Sequence, residues 1–278
     1  MPEPPTPSVL LLIPAYNEEQ RIEPVLRDYA AYFRRFYPGR FQIVVVLNGC
    51  IDNTLGVVQR VAADFPEVSA LDFSEPIGKG GALIEGLKLA PRADLIGYVD
   101  ADGATTPPAF LDLVRRCDQA DCVIGSRWLR GAVLHQSQSQ QRRIYSRLFH
   151  SFVELLFRMH IKDTQCGAKV MRRAAVERIH PFLRIADLAF DINLLYALKR
   201  EGFSISEVPT EWTDKLGSQV TLSKLGKKAL AIPLSVVRLR LFYSPCYRWL
   251  RPLQPLEAWI YRTLGATPPR RGPPPGNS

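Results

Sequence analysis

A chain of 278 residues, 46% hydrophobic and 23% charged, carries enough apolar material for a globular core, which sets aside a fibrous or wholly disordered polymer. Its five cysteines (Cys50, Cys117, Cys122, Cys166 and Cys246) are scattered without a Cys-x-x-Cys pair, so neither a disulfide framework nor a thiolate metal site is expected, and the set reads as reduced. A formal net charge of +9 suits an anionic partner: a nucleotide, a nucleic acid or an anionic membrane surface.

Residues 1–8 are proline-rich and read as a flexible amino terminus rather than a secretory leader. Residues 9–13 form an apolar run expected to be a buried strand, followed by the loop Pro14-Ala15-Tyr16-Asn17-Glu18. A helix is predicted over 18–36, because Ile22, Val25, Leu26, Tyr29 and Phe33 recur at helical spacing. Residues 41–47 predict a second buried strand, ending in Asn48-Gly49-Cys50-Ile51-Asp52-Asn53-Thr54, where Asp52 or Asn53 suits the cap of a helix over 54–65. A third strand is expected at 68–73. It is followed by Gly78-Lys79-Gly80-Gly81 and a helix to residue 90.

Residues 95–99 form a fourth apolar run that ends in Asp100-Ala101-Asp102-Gly103-Ala104-Thr105. Strands alternating with helices imply a parallel sheet with crossover helices, and ligands bind at the carboxyl ends of such strands. Two carboxylates flanking a small alanine suit Mg²⁺ or Mn²⁺ and, through the metal, a diphosphate. The same letters also suit a plain turn. A helix at 107–117 begins on proline, as helix starts favour, and a fifth strand at 121–125 leads into Ser126-Arg127.

Residues 134–141 are polar and read as a surface loop. A helix follows over 142–160, with Ile144, Leu148, Phe152, Leu155, Leu156 and Met159 on one face. Arg142, Arg143 and Arg147 crowd its start, where cations oppose the helix dipole; they await an anion or form a solvated basic face. Asp163 to Met171 suggests a tight turn at Gly167 before a short strand. Helices are expected at 174–179 and 190–201, and an edge strand at 204–209.

The composition then changes. Basic residues from Lys224 to Arg262 alternate with aliphatic and aromatic ones, which suits helices in a membrane interface, helices packed on the core, or a nucleic-acid surface. No apolar run approaches the roughly 18 residues of a spanning helix. The expected division is a flexible 1–8, a catalytic domain over 9–222, basic amphipathic helices over 223–265 and a disordered tail over 266–278.

Taken together, the five ordered loops at Pro14, Asn48, Gly78, Asp100 and Gly125 resemble those of the family 2 inverting glycosyltransferases of the GT-A fold. Asp163-Thr164-Gln165-Cys166-Gly167, Ala189-Phe190-Asp191, Trp212-x-x-x-x-Gly217-Ser218 and Arg238 to Tyr243 are similar to the dolichyl-phosphate glucosyltransferases within it. The resemblance implies an α/β fold with a Rossmann-like, mostly parallel sheet covered by helices on both faces, plus carboxyl-terminal amphipathic helices. It implies transfer of glucose from UDP-glucose to a polyprenyl phosphate, with Mg²⁺ or Mn²⁺, by a protein peripheral to the cytoplasmic face of a membrane and not bound to nucleic acid.

Carried over by position, Pro14, Ala15, Tyr16 and Glu18 would line base and ribose, and Asn48 would read the base edge. Lys79 would meet the donor phosphates; Asp100, Ala101 and Asp102 would hold ribose and metal. Arg127, Arg142, Arg143 and Arg147 would face acceptor or donor phosphates. By the same resemblance Asp102 would be the catalytic metal ligand.

A lipid phosphate is already an anionic nucleophile and needs cations for positioning rather than a base. A hydroxyl acceptor would need a carboxylate base, for which Asp191 is the candidate and Asp187 the next; Asp191 also suits a helix-start carboxylate bonded to backbone N–H groups, the reading favoured by its position. The sequence departs from the family at Asn48 and Asn193, where relatives have carboxylates, and at Ala168, where an aromatic is usual. These changes keep open a soluble-acceptor transferase or a non-catalytic nucleotide-sugar binder. Ala104 stands where mannosyl relatives often have a metal-binding glutamine, which points to the glucosyl branch.

Overall fold

Residues 5–134, 140–187, 189–213, 228–244 and 263 are described by a computed structural model. At the centre, β1 (Val9–Ala15) pairs in parallel with β2 (Phe41–Asn48) on one side and β4 (Leu95–Tyr98) on the other, and β2 carries β3 (Val68–Phe73). Beyond β4, β7 (Lys169–Arg172) runs antiparallel between β4 and β5 (Cys122–Ser126), and β8 (Ile205–Pro209) closes the far edge parallel to β5. The sheet therefore has seven strands in the order β3-β2-β1-β4-β7-β5-β8. A two-stranded parallel ribbon of β6 (Val133–Leu134) and β9 (Glu211–Trp212) stands apart.

Alternation along the strands builds two cores. Val9, Leu11 and Ile13 of β1 face one side with α1 (Ile22–Phe36), α2 (Thr54–Asp64) and α4 (Pro107–Arg116). Leu10 and Leu12 face the other, with α3 (Lys79–Leu87), α5 (Gln140–Phe157), α6 (Arg173–Ile179), α7 (Phe190–Arg200) and α8 (Lys228–Phe242). Both faces are buried, which is why these strands read as unbroken apolar runs. α3 lies hard against the sheet: a Cβ on Gly86 would come within 2.9 Å of Leu12 and 3.1 Å of Val46. That close approach brings the first turn of α3, with Lys79, up to the strand ends.

The chain winds outward from β1 to β3 and then crosses back to β4 on β1's other side. The loops after β1 and β4 therefore diverge and open a crevice at their carboxyl ends.

Several expectations shift. The first helix begins at Ile22 rather than 18, because Asn17 is left-handed (φ 55°) and residues 18–21 form a turn closed by Arg21 and Ile22 N–H donating to Glu18 O. At α2, Asn53 holds the cap position but makes no side-chain bond; Asp52 instead accepts from Thr54 N. Thr106 caps α4 ahead of its two prolines. On α5, Phe149, Phe152, Val153, Leu156 and Phe157 face the core, whereas Leu148 and Leu155 are 62% and 77% exposed rather than sharing that face. Of the basic carboxyl-terminal stretch, α8 packs on the core through Val236, Leu239 and Phe242 and leaves Val237, Arg240 and Leu241 outside.

Candidate active site

The strand end that closes β4 carries Asp100 and Asp102 into the crevice. Lys79, the first residue of α3, forms an ion pair with Asp100 Oδ1 at 2.5 Å. The other Asp100 oxygen lies over Gly167, where an added Cβ would fall 2.3 Å from Oδ2, so only glycine leaves the carboxylate its place. Asp102 Oδ1 accepts from Ala104 N at 2.9 Å, a turn that Gly103 allows with φ 68°. Burial, and then the Asp100 charge, push the Asp102 carboxyl above the usual carboxylate range. Desolvation disfavours the Lys79 ammonium, but Asp100, Asp191 and Asp102 outweigh it and hold its pKa above that of an ordinary lysine.

The loops after β1 and β2 are laced together beside this pair. Glu18 N donates to Thr54 Oγ1 at 2.9 Å, Ile51 N to Asn17 Oδ1 at 2.9 Å, and Glu19 N to Asp52 Oδ2 at 3.1 Å. The Glu18 carboxylate is held by Arg21 through two bonds of 2.8 Å, and burial raises its pKa against the pull of that guanidinium. Pro14 and Ala15 end β1, and Tyr16 stands exposed above them. Asn48 is buried at the end of β2, and its Oδ1 accepts from Ile77 N at 2.6 Å, tying this loop to the one that launches α3.

Asp191 departs from both sequence readings. The cap position of α7 is held by Ala189, and the Oδ1 of Asp191 is engaged inside the protein. Its Oδ1 takes the ammonium of Lys169 at 2.5 Å and also the hydroxyl of Tyr98. Lys169, a fully buried β7 residue, also donates to Cys166 O at 2.6 Å. Sequence reasoning missed Lys169; its one signal was a lysine leading a short apolar strand. Asp187, the second candidate base, accepts from Ala189 N at 2.8 Å and from the hydroxyl of Ser235 on α8, with its pKa raised by burial.

Arg127 also has a structural partner that the sequence did not reveal. Its Nε and Nη2 bond the two oxygens of Asp163 at 2.8 Å each, its own N–H adds a third bond at 2.9 Å, and the guanidinium lies 5.3 Å from the Trp212 ring centre. Burial opposes the Asp163 charge, but the Arg127 bonds outweigh it and hold that carboxyl below the usual range. Arg142 and Arg143 fall in the first turn of α5, and the roles expected of their side chains lie outside what the structure describes. Arg147, one turn on, is exposed.

The donor set fits a hard divalent cation that brings part of its own shell. Asp100 and Asp102 offer oxygen ligands, and the dehydrated Asp102 carboxylate gains from a cation. Among the described residues no group of three or more His, Cys, Asp or Glu side chains is gathered closely enough to hold a metal ion. A cation held by these two carboxylates would take its other ligands from outside the protein's acidic side chains.

The crevice at the sheet switch point thus brings Asp-x-Asp at a strand end together with a lysine at a helix start. The sequence pattern described as Glycosyl transferase family 2 matches residues 10–180; the chain belongs to that family and is a glycosyltransferase. It is 31% identical to Glycosyltransferase AglD of Haloferax volcanii over 77% of this chain, but it spans only 34% of that protein. It is 32% identical to the dolichyl-phosphate beta-glucosyltransferase of Homo sapiens over 83% of this chain and 76% of that one. Among solved structures, glucosyl-3-phosphoglycerate synthase of Mycobacterium tuberculosis, in complex with Mn²⁺, UDP and glucosyl-3-phosphoglycerate, shares the fold with a TM-score of 0.61. That match has 19% identity and covers 84% of this chain and 80% of the other.

Proposed function

We propose that this glycosyltransferase moves a glucosyl group from UDP-glucose to a polyprenyl or dolichyl phosphate, inverting the anomeric centre. The donor class is supported by the Asp100, Asp102 and Lys79 cluster, and the acceptor class by relatives whose names state dolichyl-phosphate glucosylation. The observation that carries the choice of acceptor is the state of Asp191. Its Oδ1 already accepts from both the Lys169 ammonium and the Tyr98 hydroxyl, so that oxygen is not free to meet an incoming hydroxyl. An acceptor phosphate needs no base.

In this reading Pro14, Ala15, Tyr16 and Glu18 line the base and ribose, and Asn48 meets the base edge. Lys79 binds the donor diphosphate at the start of α3, where backbone N–H groups and the helix dipole favour an anion. Ala101 is the small residue between the ligands that lets the ribose approach. Mg²⁺ or Mn²⁺, held by Asp100 and Asp102, supplies charge neutralisation for the leaving UDP. Arg142, Arg143 and Arg147 position the acceptor phosphate, and Arg127 shapes that side of the cleft from its clasp with Asp163. Peripheral attachment to a membrane is supported by the exposed Leu148 and Leu155 of α5 and Val237 and Leu241 of α8; no described helix is long and apolar enough to cross one.

The test is mass-detected transfer from UDP-glucose to a short polyprenyl phosphate with Mn²⁺ or Mg²⁺. A glucosylated lipid is expected. No lipid product with UDP-glucose, UDP-N-acetylglucosamine or GDP-mannose would sink the proposal.

A further inference from the structure

We propose that Lys79 is the resident counter-ion of Asp100 and that it admits a divalent cation to the carboxylate pair only in company with the donor diphosphate. The inference rests on the donor reading above and adds a coupling to it. Lys79 Nζ sits on Asp100 Oδ1 at 2.5 Å, the place that a cation bound to this oxygen would have to take. Asp100 has no easy way round, because its second oxygen is pressed over the Gly167 backbone. Asp102 likewise has one oxygen engaged, by Ala104 N.

Charge counting gives the coupling its sign. The neighbouring Lys169 with Asp191 and Arg21 with Glu18 neutralise themselves. Among the described residues, what remains around the carboxylate pair is Asp100, Asp102 and Lys79, one net negative charge. A divalent cation alone reverses that to one net positive charge beside an ammonium, and a nucleotide-sugar diphosphate alone, bringing roughly two negative charges, deepens it to about three. Both together restore the single negative charge. The geometry supplies the means: Lys79 is the first residue of α3, and its flexible stem can leave Asp100 for a phosphate bound at that helix start. Diphosphate removes the lysine from the carboxylate, and the freed carboxylate takes the cation.

The experiment is calorimetric or paramagnetic-resonance titration of Mn²⁺ into the full chain, with and without UDP, for the wild type, Lys79→Met and Lys79→Arg. UDP is expected to tighten Mn²⁺ binding to the wild type at least about tenfold, a usual size for coupled sites. Lys79→Met is expected to bind Mn²⁺ alone about tenfold tighter than the wild type, with most of the UDP enhancement gone. Lys79→Arg keeps the charge and is expected to keep the coupling. A lysine that only braced the loop would, once removed, weaken Mn²⁺ binding in both conditions.

Lys79→Met binding Mn²⁺ alone no tighter than the wild type overturns the proposal, as does a wild type that binds Mn²⁺ equally with and without UDP. The second comparison needs no variant to fold. If the wild type binds UDP with Mn²⁺ but shows no such coupling, this inference falls and the donor reading stands. If the wild type binds neither, both fall.

Discussion

Replacing Lys169 by methionine removes an ammonium from the interior and leaves Asp191 charged, buried and bonded only to Tyr98. At 2.5 Å the lost attraction is about 6–7 kcal/mol at an effective dielectric constant near 20, before desolvation is counted. Removing one partner of such a buried pair typically costs about 3–5 kcal/mol net. For a domain of this size that corresponds to a fall of roughly 6–20 °C in melting temperature. The double change Lys169→Met with Asp191→Asn removes both charges and keeps an acceptor for Tyr98, so it is expected within about 2 kcal/mol of the wild type.

The assay is thermal unfolding of the wild type, the single variants and the double variant, with transfer to polyprenyl phosphate measured well below each transition. If Asp191 is held for structure, the double variant loses less than about tenfold in rate; loss of a general base costs about 10²- to 10⁴-fold. Two outcomes refute the reasoning: a Lys169→Met cost below about 1 kcal/mol, or a double variant that still binds UDP but loses a hundredfold or more in turnover.

Gly167→Ala is expected to push the Asp100 carboxylate from its seat, because the new Cβ meets Oδ2 at 2.3 Å; the neighbour is a movable side-chain end, so UDP–Mn²⁺ affinity falls while the melting temperature barely moves. Calorimetry showing unchanged affinity would contradict this. Arg127→Met is expected to cost about 3–5 kcal/mol at neutral pH, since Asp163 is 1% exposed and loses its bidentate partner. Because the folded Asp163 pKa is depressed, the pair's contribution is present above the unfolded value of about 3.9 and disappears as pH falls through the folded value. The gap between wild type and variant in acid denaturation should therefore close below about pH 4, and a gap that stays constant argues against the pair. Leu148→Glu with Leu155→Glu is expected to reduce pelleting with anionic liposomes without altering UDP binding, and equal pelleting would remove α5 from the membrane face.

Four of the five loops were legible in sequence because they follow the largely apolar runs of β1, β2, β4 and β5, a local and continuous signal; the Gly78 loop follows the half-exposed edge strand β3 and was marked by its glycines instead. What escaped was non-local. The antiparallel insertion of β7 between β4 and β5 depends on a pairing between Tyr98 and Lys169, far apart in the chain. The partners of Asp191 and Arg127 lie 22 and 36 residues away, so Lys169 drew no notice and Arg127 was expected to face phosphates rather than to be clasped by Asp163. Leu148 and Leu155 fit helical spacing, but spacing alone could not say that their strip faces outward.

The two asparagines that looked like lost carboxylates take on a different meaning in three dimensions. Asn193 Oδ1 accepts from Arg184 N at 2.6 Å and Ile185 N at 3.1 Å, and its Nδ2 donates to Phe182 O at 3.2 Å. A carboxylate could not make the third bond. The segment it braces continues to Ala186, whose carbonyl accepts from Gly81 N at 3.1 Å, while Ile185 O sits where a Cβ on Gly80 would come within 2.5 Å. Those glycines are the second and third residues of the helix that begins with Lys79. Asn48 supports the same helix start from the other side through Ile77 N. Both asparagines therefore support the helix start that carries the lysine facing Asp100, so neither departure leaves a buried polar group unsatisfied there: the amides do the bracing that a carboxylate, lacking a donor, could not complete.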